Sequence, residues 1–233
     1  STAVGSIVHS LQDAGLIEAS GRREGGTRGQ PAGLYRLNPK GAFGIGVRLD
    51  RARIEIVLAD LSGRILASKT HDMLLPHPGP ALKIVQRDIG ALLKLLSAAE
   101  RRRLSGIGLA LPYRLGHWLL ELDLQADFRL WDDIDFGVLL NDAVQLPVFK
   151  DNDGTAAAIA ESLFGVGGEA ADFLYLFIGA AIGGGVVIGG EGAAFCAGMD
   201  MAGPRPKQDD DPVRLAYDGM RRTVAAVLAM RDI

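Results

Sequence analysis

The sequence predicts an α/β protein built on a mixed sheet. Two patterns carry this expectation. Three strand-like runs follow one another early in the chain, and helical and strand-like segments alternate after them. Composition places the chain among globular proteins: 48% of its 233 residues are hydrophobic and 23% are charged, enough to bury a core. That length fits one or two domains. Lysine and arginine total 25 and aspartate and glutamate 28, a net charge of −3. This balance excludes a wholly basic nucleic-acid binder and leaves room for a basic module on an acidic body. Cys196 is the single cysteine, so neither an intrachain disulfide nor a cysteine-based zinc site can form, which fits a reducing cytoplasm. Glycine is abundant: 31 residues, about twice the usual share of roughly 7%.

Residues 1–40 hold five basic and three acidic side chains, so this segment carries +2 and the remainder −5. Val4, Ile7, Val8 and Leu11 recur at helical spacing and predict a helix with one apolar face. Gly15 ends it as a left-handed cap. A strand starts at Leu16-Ile17, a glycine- and arginine-rich loop runs from Ser20 to Gly33, and Leu34–Leu37 returns as a second strand. Asn38-Pro39-Lys40-Gly41 reads as a linker. A helix followed by a two-stranded wing with arginines at its tip suits DNA. Ser1, Thr2, Ser6 and His9 lie mostly off the apolar stripe and are the candidates for base or backbone contact. Arg22, Arg23 and Arg28 are the wing candidates. An amphipathic helix beside a solvated hairpin explains the same spacing, and five basic residues are few for a DNA footprint. The helices that support a helix-turn-helix are expected upstream of Ser1.

The body opens with strand-like runs at Phe43–Leu49, Ile54–Asp60 and Ile65–Lys69, with turns at Asp50-Arg51 and Ser62-Gly63. Leu82, Val85, Ile89, Leu92, Leu93 and Leu96 predict a helix over 82–96. A strand at Gly106–Leu111 precedes Pro112. Residues 113–135, with Trp118 and Trp131, show little pattern. A helix around 136–145 leads to a short strand at Pro147–Lys150, and Asp151-Asn152-Asp153-Gly154 opens an alanine-rich helix over 155–164. Phe173–Gly190 is 18 residues without a charge, at the edge of the length needed to cross a membrane. Six of the 18 are glycine, so it reads instead as strand, glycine turn, strand, with strands at Phe173–Ile178 and Val186–Ile188. A last helix is expected around 212–230. The start of the chain carries no signal-peptide pattern.

Several of these motifs together resemble the ROK family (repressor, open reading frame, kinase). Thr2–Leu11, Gly15-Leu16-Ile17-Glu18, Gly29-Gln30-Pro31 and Leu37-Asn38-Pro39 look like the winged helix of its regulators. Gly44-Ile45-Gly46-Val47 with Ile54–Gly63 looks like its first hairpin, and Gly106–Pro112 like the strand beside it. Leu146–Phe149 followed by Asn152-Asp153 and Ala156-Ala157-Ala158 resembles its sugar-site motif, and Leu176–Gly190 its phosphate hairpin. The resemblance implies an actin-like, ribonuclease-H-like two-lobed fold with a sugar held between the lobes. Its implied divisions are a partial winged helix at 1–38, a first lobe at 39–150 and a second, incomplete lobe at 151–233.

Phosphoryl transfer needs a base, a phosphate cradle and a metal-binding carboxylate. The resemblance makes Asp153 the base if the chain is a kinase; as a plain sequence position it fits a helix N-cap equally. Gly183, Gly184 and Gly185 read as a phosphate cradle or as a tight turn. Kinase members of the family carry Asp-x-Gly-Gly-Thr-Lys in the first hairpin. Here the aligned stretch is Arg48-Leu49-Asp50-Arg51-Ala52-Arg53. Arg48 stands at the metal aspartate, and Asp50 and Arg51 replace both glycines. The kinase Gly-Thr-Gly reads Gly179-Ala180-Ala181. The expectation is therefore a transcriptional regulator of the repressor branch without kinase activity, acting in the cytoplasm as a homodimer or higher oligomer. A sugar kinase with a divergent phosphate loop is the alternative. Asn152 and Asp153 are the expected effector contacts. Asp200 is a third, from the weak match Ala197-Gly198-Met199-Asp200-Met201-Ala202, where Met199 and Ala202 replace the family's glutamate and histidine. No cofactor is expected. No zinc is expected either, since His9, His71, His77 and His117 form no ligand pattern.

Overall fold

A computed structural model of the chain describes residues 2–22, 33–112, 115–116, 126–170, 172–178 and 182–188. Helix α1 (Thr2–Asp13) comes first, then strands β1 (Ile17–Arg22) and β2 (Gly33–Leu37), which pair antiparallel. Gly15 closes α1 at φ +72°, in the left-handed region that glycine tolerates. The helix and the two strands are thus where the spacing places them. The apolar stripe of α1 behaves differently from expectation. Val4 is 67% exposed and Ile7 44%, and only Leu11, with Ala14, reaches a buried cluster, formed by Leu16, Ala42 and Leu61.

Strands β3 (Phe43–Asp50), β4 (Arg53–Asp60) and β5 (Ile65–Asp72) form an antiparallel meander. Helices α2 (Pro78–Leu93) and α3 (Ala98–Arg101) follow, then β6 (Leu104–Leu111), α4 (Phe136–Val144) and β7 (Val148–Asn152). The five strands make one sheet in the order β5-β4-β3-β6-β7, with β6 parallel to both β3 and β7. Alternation decides the faces. Ile45, Val47 and Leu49 of β3 share one face with Ile54, Ile56 and Leu58 of β4 and pack under the buried sides of α2 and α4, where Val85, Ile89, Phe136 and Leu140 lie. Trp131 closes this core against Phe136 at 5.1 Å between ring centroids, and its indole N–H donates to the Pro76 carbonyl at 3.2 Å.

Helix α5 (Asp153–Phe164) and the hairpin of β8 (Asp172–Ile178) and β9 (Ile182–Ile188) form a second layer. Ala156, Ala157 and Ala158 pack with Tyr175, Val187 and Ala110 of β6. The uncharged stretch is therefore two strands, as expected. No helix among the described residues is long and apolar enough to cross a membrane.

Two boundaries need correction. Strand β9 begins at Ile182, so Gly183, Gly184 and Gly185 lie inside a strand, opposite Phe177, Leu176 and Tyr175, and not in a turn. Glycine propensity pointed to a turn, but here glycine marks close approach. A Cβ on Gly185 would sit 2.6 Å from the Ala158 Cβ, and one on Gly154 would sit 3.2 Å from the Gly184 nitrogen. The second correction is the cap of α5, which is Asn152 and not Asp153.

Candidate functional site

Sheet pairing brings the site together at one end of the central strands. Arg48 of β3 lies opposite Glu55 of β4 and beside Ala110 of β6, and Ala110 lies beside Asp151 of β7. Residues paired across strands share a face, so these form one row under α5. Arg48 is 5% exposed and Glu55 is 2% exposed. The Arg48 guanidinium donates to the Glu55 carboxylate at 3.3 Å, and its other terminal nitrogen stands 3.5 Å from the Asp50 carboxylate. Asp50 also accepts the Arg51 backbone N–H at 2.6 Å.

Asn152 ends β7 and caps α5. Its side-chain oxygen accepts from the backbone N–H of Gly154 at 3.0 Å and of Thr155 at 3.3 Å. The amide oxygen is thus engaged by the helix, and the NH2 is the part of the side chain left to donate outward. Asp153 is the first helical residue and accepts the Gly154 N–H at 2.9 Å. Burial pushes its carboxyl above the usual aspartate range, and the charge of Asp50 adds to this. The Gly154 hydrogen bond and the Arg48 charge offset it in part. Tyr175 of β8 closes the other side, with its hydroxyl buried and without a hydrogen-bond partner among the described residues. Burial raises that phenol, and Glu161 and Asp153 add to the rise while Arg48 opposes it. The site is therefore a half-buried carboxyl at a helix start, held near an internal guanidinium that is already matched by two carboxylates. Such a carboxyl can accept hydrogen bonds from the hydroxyls of a polyol. Arg48 cannot ligate a metal.

Other expected site residues fall elsewhere. Ser6 and His9 are exposed on α1, and Arg22 is exposed at the end of β1. Thr2 opens α1. Ser1, Arg23, Arg28 and Asp200 lie outside the described residues, as do residues 179–181 and the helix expected at 212–230. Glu55, Glu161 and Tyr175 escaped the sequence reading. Glu55 faces Arg48 through a two-residue turn at Arg51-Ala52, one residue later than the expected turn at Asp50-Arg51. The other two meet the site only through packing. Among the described residues, no group of three or more His, Cys, Asp and Glu side chains could hold a metal.

Comparison with known proteins shows the family. An uncharacterized protein of Sinorhizobium fredii is 33% identical over 186 residues, covering 79% of this chain and 47% of that protein. A protein of a Caldicellulosiruptor species named as a putative xylose repressor is 29% identical over 196 residues, covering 81% of this chain and 47% of the relative. Further relatives carry the names of repressors and of sugar kinases. A crystal structure of a ROK family transcriptional regulator, described as a homolog of the Escherichia coli Mlc protein, shares the fold. It is 24% identical with a TM-score of 0.55, over 88% of this chain and 54% of that one. The chain spans about half the length of the curated relatives it matches. The ROK family pattern itself matches residues 44–203. This chain belongs to the ROK family.

Proposed function

We propose that the chain is a ROK-type DNA-binding transcriptional regulator, a repressor that answers to a sugar or sugar derivative and does not phosphorylate it. Arg48 is the observation that carries this reading. Where the kinase pattern has a metal-binding aspartate, this chain buries a guanidinium between Glu55 and Asp50. A magnesium ion placed there would meet a like charge at hydrogen-bonding distance. Residues 1–38 are the proposed winged-helix module, with Ser1, Thr2, Ser6, His9, Arg22, Arg23 and Arg28 toward DNA. Residues 39–150 and 151–233 are the proposed lobes. Asn152, Asp153 and Asp200 are the proposed effector contacts. The protein acts in the cytoplasm as a homodimer or higher homo-oligomer.

Asp153 favours the second reading, a sugar kinase, because a carboxyl raised by burial suits a general base. One pair of measurements separates the two. The regulator binds duplex DNA with an affinity that falls steeply with salt, and it consumes no ATP over a panel of sugars. Sugar-dependent ATP turnover that Asp153→Asn abolishes would overturn the regulator reading.

A further inference from the structure

Helix α5 carries the proposed effector site at its first residue, and its last residue touches something quite different. The Phe164 ring lies against the β4–β5 turn: a Cβ on Gly63 would stand 2.6 Å from the ring. Gly63 has φ +83°, so only glycine takes this backbone without strain, and only glycine leaves room for the ring. The turn is rigid in its own right. Asp60 accepts from the Ser62 N–H at 2.9 Å, the Ser62 hydroxyl at 2.6 Å and the Arg64 N–H at 3.2 Å.

Two residues before Gly63, the same turn enters the joint to the N-terminal module. The Leu61 N–H donates to the Pro39 carbonyl at 3.3 Å, and the Leu61 side chain packs with Leu16 and Ala42. Asn38 ties the linker to the module twice. Its N–H donates to the Leu16 carbonyl at 2.9 Å, and its side-chain amide donates to the Gly15 carbonyl at 2.8 Å. The joint is too tight to yield by sliding. A Cβ on Gly41 would stand 2.7 Å from the Gly15 oxygen and 3.0 Å from Leu61. Midway along its length α5 is seated equally closely, on Gly185 through Ala158.

We propose that α5 is a strut that couples the Asn152-Asp153 site to the N-terminal module through the Phe164–Gly63 contact and Leu61. A displacement of α5 at its β9 seat is passed to the linker through the Phe164 ring on Gly63 and the buried Leu61. The proposal rests on the regulator reading for its purpose, but its test needs neither sugar nor DNA. In the intact chain, Gly185→Ala pushes on Ala158 and so displaces α5. Amide hydrogen exchange then reports on Asn38, Gly41 and Leu61 at the joint. The expected result is a change of roughly threefold or more in their exchange with Gly185→Ala, reduced to near none when Phe164→Ala is also present. Phe164 is exposed at a helix end, with 36% of its surface accessible, and Phe164→Leu repeats the test with less loss of packing. An equal effect of Gly185→Ala with and without Phe164, or none in either background, overturns the strut. If exchange shows the coupling and the chain fails to bind duplex DNA, the strut stands and the regulator reading falls.

Discussion

Arg48 shows how one residue can serve the sheet and, on the regulator reading, stand where a kinase needs a metal ligand. Its charge sits in the sheet, with 5% of its surface exposed, against the buried Glu55. Removing Arg48 takes away the guanidinium that matches the buried Glu55 carboxylate. Arg48→Met is therefore expected to cost about 3–5 kcal/mol in urea unfolding, and Arg48→Met with Glu55→Met to recover most of it. Asp153 behaves in the opposite sense. Burial raises its carboxyl, so the native state holds the proton more tightly than the unfolded chain does. Its contribution is fully present below the ordinary aspartate value of 3.8 and is lost as pH rises through the raised native value. Where Asp153 is ionised its burial is thus a cost, and Asp153→Asn should raise the melting temperature at pH 7, a gain that fades in acid. A melting temperature unchanged at pH 7 would contradict this. Asp88 has the usual sign. Burial pushes it up, but hydrogen bonds from Arg87 and His71 hold it below the ordinary range. The stability it contributes is present above that range and is lost as pH falls through its lowered native value.

At the scale of elements, α5 depends on its first turn. Asn152→Ala removes the side chain that accepts from Gly154 and Thr155, and should destabilise the protein by about 1 kcal/mol, read as a lower urea midpoint with an unchanged slope. The elements themselves were largely legible. Hydrophobic spacing alone located α2, α4 and the three-strand meander, because each has one face in a continuous core. Gly15 was legible as a cap because the αL requirement is local. What failed was tertiary. Gly183–Gly185 read as a turn, since nothing along the chain announces that Ala158 will press on that backbone. Asn152 and Asp153 compete for the same cap, and only the observed backbone shows that Asp153 has already entered the helix. The exposed Val4 and Ile7 fit the amphipathic pattern but not its usual consequence, burial.

For the whole molecule, the order β5-β4-β3-β6-β7 puts the two ends of β3 and β6 to different uses. Their first residues, Phe43 and Leu104, follow directly on the linker and on Arg103, whose guanidinium donates to the Gly41 carbonyl at 3.1 Å. Their last residues reach the Arg48 row. The site was half legible from sequence. Asn152, Asp153 and Arg48 stood out as motif positions, whereas Glu161 and Tyr175 join them only once α5 and β8 fold over the sheet. The regulator reading makes one prediction at this scale. Arg28→Ala should weaken duplex binding and lower the slope of log affinity against log salt by about one, as for the loss of one phosphate contact. An unchanged slope would remove Arg28 from the DNA surface.

The Arg48–Glu55 pair also bears on what such a protein can listen to. A cation supplied by the chain cannot be diluted, chelated or exchanged. If Asp153 reads a sugar, it does so beside a charge that is the same in starved and in growing cells. Sugar binding should then be indifferent to a chelator such as EDTA and to millimolar magnesium, and the signal would report the carbohydrate supply without mixing in the energy state.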